Sequence, residues 1–107
     1  MTSELPIELH NSTDAREDER ALYIMVEEQI RDLAKGHSDI TGAAVNLTEP
    51  SQDTETNYIF EATVVLYTRP NNIAATEKGS DLQQTLQGAL DAAQRQVREK
   101  RDRLRNY

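Results

Sequence analysis

The residues best suited to chemistry in this sequence are six basic side chains near its C-terminal end. Residues 94–105 contain only two acids, Glu99 and Asp102, and therefore have a local charge of +4. The six basic residues are Arg95, Arg98, Lys100, Arg101, Arg103 and Arg105. Arginine suits phosphate because its planar guanidinium donates two parallel hydrogen bonds and is weakly hydrated. The segment is therefore predicted to bind anions, with phosphate as the favoured group.

The rest of the chain has the opposite charge. The formal net charge of the 107 residues is −7, so the residues outside this segment hold 6 basic and 17 acidic groups, a balance of −11. A net charge of −7 would by itself argue against a nucleic-acid partner, because phosphate contacts need cations that displace counterions. The asymmetry between the two parts instead indicates an oriented electrostatic surface.

The basic residues lie on one flank of a predicted C-terminal helix that Ser80 or Asp81 caps. Its apolar residues share a stripe about 80° wide on a helical wheel: Leu82, Leu86, Leu90, Ala93, Val97 and Leu104. With Leu86 at zero and 100° per residue, four arginines fall beside that stripe at roughly 60°, 100°, 120° and 180°: Arg101, Arg105, Arg98 and Arg95. A structural alternative is that these cations complement the negative pole of the helix. That effect covers about one turn, whereas Arg95 lies further inside.

The preceding sequence predicts strands at 5–11, 40–48, 58–68 and 73–78, from alternating apolar and polar residues and from turn residues at 69–72. Between the first two strands, Asp14 and Glu17 have the spacing of a capping box. A helix follows whose apolar residues lie within about 40° of one another: Leu22, Val26, Ile30 and Leu33. Gly36 is expected to end it.

This order predicts an α+β fold, β-α-β-β-β-α, with a four-stranded sheet and both helices packed on one face. Residues 1–107 are expected to form one domain with mobile termini, because the chain has the usual size of a single domain.

The sequence contains no set of residues suited to catalysis or metal binding. The chain has no cysteine, and His10 and His37 lie far apart in sequence. This excludes a thiolate zinc site and a cysteine nucleophile. We expect no enzyme activity, cofactor, metal or small-molecule substrate. Because residues 1–6 lack a basic signal-peptide start and no apolar run approaches about 18 residues, we expect a cytoplasmic protein without a membrane partner.

The C-terminal tract, residues 78–107, also carries a family pattern. Asp81-Leu82 begins it, aliphatic and small residues follow through Leu90, and Arg95-Gln96-Val97 precedes the basic tail. This tract resembles the final helix of the short ribosome hibernation-promoting factors and ribosome-associated inhibitors, also called sigma-54 modulation proteins. The order of elements and the spacing from Leu22 to Leu47 extend the resemblance over most of the chain.

The resemblance implies a fold similar to double-stranded RNA-binding domains. It also implies a monomer that binds rRNA of the small ribosomal subunit in the decoding channel, where it blocks messenger and transfer RNA. The residues that match basic positions of the family are Arg95, Arg101, Arg103 and Arg105. Arg98 and Lys100 add local positive charge, and Lys78 lies just before the helix.

The first helix departs from the family pattern, which usually has basic residues there. Here six acids, Glu17, Asp18, Glu19, Glu27, Glu28 and Asp32, outnumber four basic residues, Arg16, Arg20, Arg31 and Lys35. Glu99 and Gln83 also differ from the residues usual in the family. These departures leave an alternative open, a non-ribosomal protein-interaction or regulatory module that uses its acidic first helix on the same scaffold.

Overall fold

In the part of the chain that the structure describes, four strands and two helices follow one another in the predicted order. The computed structural model describes residues 5–13, 19–49 and 60–105, with only the backbone described at 102–105. The elements are β1 (Ile7–Asn11), α1 (Glu19–Lys35), β2 (Gly42–Thr48), β3 (Phe60–Tyr67), β4 (Ile73–Gly79) and α2 (Leu82–Arg105). The capping box of Asp14 and Glu17, the strand residue Tyr58 and both chain termini lie outside the described residues.

The sheet is mixed, with the strands in the order β1-β2-β3-β4. β1 pairs with β2 in parallel, and α1 forms the crossover that a parallel pair requires. β2, β3 and β4 pair antiparallel, and the predicted turn at 69–72 joins β3 to β4 as a hairpin with Leu66 opposite Ile73. The alternation of apolar residues predicts which face a residue occupies, but it does not predict strand direction.

One face of the sheet carries the core. Leu9, Val45, Val64 and Ala75 lie side by side across the four strands. Val45, Val64 and Ala75 belong to one buried apolar cluster, against which Leu9 packs. The same cluster contains Leu22, Val26 and Ile30 of α1 and Leu82, Leu86, Leu90, Ala93 and Val97 of α2. On the opposite face Thr63 and Thr76 join their hydroxyl groups at 3.1 Å. Both helices therefore pack on the same face of the sheet, which confirms the predicted architecture.

The helix ends show local capping chemistry. After the last residue of α1, Lys35, the Gly36 N–H donates a hydrogen bond to the Leu33 carbonyl at 3.2 Å. The helix therefore ends at the position that the sequence predicted from Gly36. At the start of α2, the Asp81 carboxylate accepts a hydrogen bond from the Gln83 N–H at 3.0 Å. Asp81, rather than Ser80, is therefore the N-cap of α2.

We expect Asp81→Ala to lower the free energy of unfolding by about 1 kcal/mol, because the first turn of α2 loses its side-chain acceptor. Urea denaturation followed by circular dichroism measures this loss. The matched control is Ser80→Ala, which removes a neighbouring exposed hydroxyl and should change stability by less than about 0.5 kcal/mol. Equal losses from both changes would contradict the assignment of Asp81 as the cap.

β4 and α2 approach each other closely where they join. A Cβ placed on Gly79 would overlap the Thr85 hydroxyl. That hydroxyl is buried and donates to the Asp81 carbonyl at 2.6 Å. The absent side chain at Gly79 therefore lets α2 begin directly against the end of β4, which sets the position of the basic residues further along the helix.

Candidate nucleic-acid interface

The basic residues of α2 are positioned by the apolar stripe beside them. Leu86 and Val97 are buried against the sheet, so the flanking side chains face solvent at the edge of the helical layer. Arg95, Arg98 and Arg101 follow one another at spacings of three residues and are all exposed. We call these three residues the arginine row; at 1.5 Å per residue it extends about 9 Å along the helix axis.

Two members of the arginine row have guanidinium groups that no other described residue contacts through a hydrogen bond or an ion pair. Within residues 5–13, 19–49 and 60–101, neither Arg95 nor Arg98 forms an ion pair or a hydrogen bond through its side chain. Each guanidinium can present five N–H donors. These two arginines are therefore available to bind phosphate without breaking an intramolecular contact to the described part of the chain.

Lys100 points toward the protein. Its ammonium group donates to the Arg69 carbonyl at 2.8 Å and to the Thr68 hydroxyl at 3.1 Å, and it lies 3.4 Å from the Asp39 carboxylate. The Lys100 side chain is only 20% exposed, and these three acceptors match the three donors of an ammonium group. The geometry gives Lys100 a structural role, while its predicted contact with RNA remains a prediction.

Arg101 contacts the protein through one nitrogen and can still offer its other nitrogens to a ligand. Its Nη1 group donates to the Gly36 carbonyl just past the end of α1 and lies 3.2 Å from His37 Nδ1. A cation suits this place because the last carbonyls of a helix carry partial negative charge. The Nε and Nη2 groups of Arg101 have no partner among the described side chains, so Arg101 can connect the two helices and still bind phosphate.

Lys78 and Arg95 line a shared groove of about 430 Å³ at the start of α2. Three carboxylates, those of Glu77, Asp81 and Asp91, border the same groove. Acids beside a cation oppose the approach of a phosphate. The three carboxylates of this groove therefore oppose phosphate binding at Arg95.

The remaining two predicted contacts lie at the end of the chain. α2 extends through Arg103 and Arg105 as a helix, but their side chains fall outside the described residues. The structure thus brings Arg95, Arg98 and Arg101 together on one flank. It turns Lys100 toward the protein and places Lys78 on β4, where it shares a groove with Arg95.

The described part of α1 is nearly balanced in charge. Glu27 forms an ion pair with Arg31 at 3.4 Å, whereas Glu28 and Asp32 are exposed. Part of the acidity that favours the alternative protein-interaction function comes from Glu17 and Asp18, which lie outside the described residues. That alternative remains a hypothesis.

Sequence reasoning missed Arg69, which it treated only as part of a turn. The structure places Arg69 beside Lys100 and Arg101 in a depression of about 310 Å³. No local signal could have identified this residue, because its nearness to α2 depends on how the hairpin packs against the helix.

Two further observations concern the kinds of site that the described residues contain. Within residues 5–13, 19–49 and 60–101, no group of three or more His, Asp or Glu side chains is arranged to hold a metal ion. In the same part of the chain, neither helix is long and apolar enough to cross a membrane.

The fold and the site together define a small α+β domain with an exposed cationic edge on its last helix. The family described as sigma 54 modulation protein / S30EA ribosomal protein matches residues 16–105. The chain belongs to this ribosome hibernation family, which confirms the resemblance seen in its C-terminal tract.

Among solved structures, the chain is similar to the crystal structure of Thermus thermophilus Protein Y N-terminal domain. The TM-score is 0.66 at 17% sequence identity, and the match covers 86% of this chain and 93% of that chain. At this identity the similarity shows the fold. A comparison with the curated proteins found no match.

Proposed function

We propose that this protein inhibits translation by binding rRNA of the small ribosomal subunit in the decoding channel, where its folded body blocks messenger and transfer RNA. The observation that carries the proposal is the pair of exposed guanidinium groups at Arg95 and Arg98, which have no partner among the described residues. Membership of the ribosome hibernation family supports the choice of a ribosomal partner.

The mechanism is steric and needs no reaction. α2 is fixed to the sheet by buried residues such as Leu86 and Val97, and Lys100 fastens the same helix to the β3–β4 turn. The helix that carries the arginine row is therefore held in place before RNA arrives, which reduces the backbone entropy lost on binding. Once the domain is bound in the decoding channel, its volume excludes messenger and transfer RNA from that channel.

Specificity must come from shape. Phosphate contacts position a protein on nucleic acid but carry no sequence information, and structured RNA is recognised largely through the shape of its grooves. The acidic balance of −11 outside residues 94–105 should repel RNA that does not fit the basic edge. We therefore expect weak affinity for free duplex RNA compared with the small subunit.

Sedimentation of the purified chain with small subunits through sucrose gradients tests the proposal. At low salt we expect the chain to migrate with the subunit and to leave it as salt rises. The logarithm of a binding constant should fall by roughly 0.7 to 0.9 per phosphate contact for each tenfold rise in salt. If the chain stays in the top fraction at every salt concentration, the proposal that it binds the ribosome is wrong.

The place of binding needs its own control. Small subunits loaded beforehand with messenger and transfer RNA should no longer carry the chain, because the channel is then occupied. Equal co-migration with loaded and empty subunits would contradict binding in the decoding channel, although it would leave ribosome association intact.

A further inference from the structure

A depression of about 310 Å³ forms where three elements meet at one end of the molecule. Its wall is built from the loop after α1, the β3–β4 turn and the last described turns of α2. The charged side chains in this wall are Asp39, Arg69, Lys100 and Arg101, with His37 beside them. None of the contacts predicted from the sequence included Arg69.

The charge in the depression is positive. Lys100 lies 3.4 Å from Asp39 and offsets the single carboxylate of the wall. The positive charges of Arg69 and Arg101 are not offset there. Arg101 still has its Nε and Nη2 donors, and the Arg69 guanidinium bonds to no other residue of the described ranges. Two guanidinium forks therefore line one pocket with donors that no residue of the described ranges uses.

Both arginines are attached to backbone that other contacts hold in place. Lys100 binds the Arg69 carbonyl at 2.8 Å. Within the turn, the Thr68 hydroxyl donates to the Asn71 carbonyl, and the Thr68 N–H donates to the Asn72 side chain at 3.3 Å. On the other side, Arg101 is anchored by Gly36. The backbone on both sides of the depression is therefore held in place, with the Arg101 side chain anchored and the Arg69 side chain projecting from a fixed turn.

We propose that this depression is a phosphate-binding subsite in which Arg69 and Arg101 together bind one backbone phosphate of RNA. The inference rests on the proposed function and deepens it, because it adds the β3–β4 turn to an interface otherwise confined to α2. Guanidinium groups bind phosphate oxygens in pairs of parallel hydrogen bonds, and a phosphate is small compared with the volume present. Lys100 acts as a positioning residue for Arg69.

The subsite continues the arginine row. Arg98 precedes Arg101 by three residues and so lies on the neighbouring part of the same helix flank. An RNA strand that follows the row would reach the depression at its end. Contacts on two different elements fix the orientation of the domain on RNA, which contacts along a single helix cannot do as well.

Binding of Arg69→Gln, Arg101→Gln and the double variant to small subunits over a range of salt tests the subsite. Each single change should lower affinity about tenfold, because a hydrogen bond to a charged group is lost, and should reduce the salt dependence by roughly one phosphate contact. Because both side chains hold the same phosphate, the double variant should lose much less than the product of the two single losses.

Arg31→Gln is the matched control. It removes the same unit charge from α1, where Glu27 lies 3.4 Å away, and affinity and salt dependence should stay unchanged. Arg101→Gln also removes the contact to Gly36, so thermal unfolding is measured for every variant. Arg69 contributes only its backbone carbonyl to the described contacts, so Arg69→Gln should fold normally. Wild-type affinity in Arg69→Gln, or multiplicative losses in the double variant, would overturn the shared subsite.

A titration with inorganic phosphate separates this inference from the proposed function. The arginine Nε–H signals of the full chain are followed by NMR, and those of Arg69 and Arg101 should shift while that of Arg31 should not. If the wild-type chain fails to bind small subunits, the proposed function falls and this titration decides the subsite. Absent shifts overturn it. A third result combines shifts in the wild-type chain with an Arg69→Gln variant that binds small subunits as tightly as wild type. The ligand would then be free phosphate and not RNA, which overturns the RNA assignment.

Discussion

Reversal of two charges on α2, Arg95→Glu with Arg98→Glu, is expected to abolish detectable co-sedimentation with small subunits. Each change removes a charge-assisted contact worth about tenfold in affinity and adds a carboxylate that repels phosphate. Together they should weaken binding by at least about a hundredfold at low salt. The salt dependence should also fall by roughly two phosphate contacts. Gradient sedimentation and titration over several salt concentrations measure both quantities.

A control variant with the same net charge distinguishes the loss of direct contacts with RNA from the effect of the overall charge of the protein. Arg31→Glu with Lys35→Glu makes the same change on α1 and should weaken binding far less, because long-range repulsion is screened over about 10 Å at 0.1 M salt. Arg95 and Arg98 are exposed, so their substitution should leave stability within about 0.5 kcal/mol. Equal losses in both variants would show a whole-molecule charge effect, and wild-type binding by the α2 variant would exclude the arginine row as the interface.

The largest effect on stability is expected from Leu86→Ala. Leu86 is fully buried in the core, and removal of its side chain leaves a cavity that the neighbouring strands cannot easily fill. Such changes cost about 2–5 kcal/mol, a large part of the roughly 5–15 kcal/mol that stabilises a typical domain. Urea denaturation measured by circular dichroism gives the free energy of unfolding for wild type and variant.

Gln84→Ala is the matched control on the same helix. Gln84 is exposed, so its truncation should change the free energy of unfolding by less than about 0.5 kcal/mol. A loss below about 1 kcal/mol for Leu86→Ala would contradict the close packing of α2 against the sheet. Because α2 carries the arginine row, partly unfolded Leu86→Ala should also bind small subunits in proportion to its folded fraction.

The secondary structure and the core were predictable because their signals are local. The stripe of Leu22, Val26 and Ile30 is buried as the helical spacing predicted, and Leu66 faces the core as its alternation in β3 predicted. A side chain's face depends on its position within its own helix or strand. The parallel direction of β1 was not predictable in this way, because alternation looks the same in both strand directions.

The sequence by itself determined that several arginines share one flank of the last helix, since helical spacing places Arg95, Arg98 and Arg101 there. Only the tertiary structure decided what each cation can do. Lys100 meets an acid 61 residues away and Arg101 meets a carbonyl 65 residues away. Arg69 joins them through the packing of the hairpin against α2. Contacts between distant segments depend on how the elements pack, and the spacing of residues within one element carries no information about them.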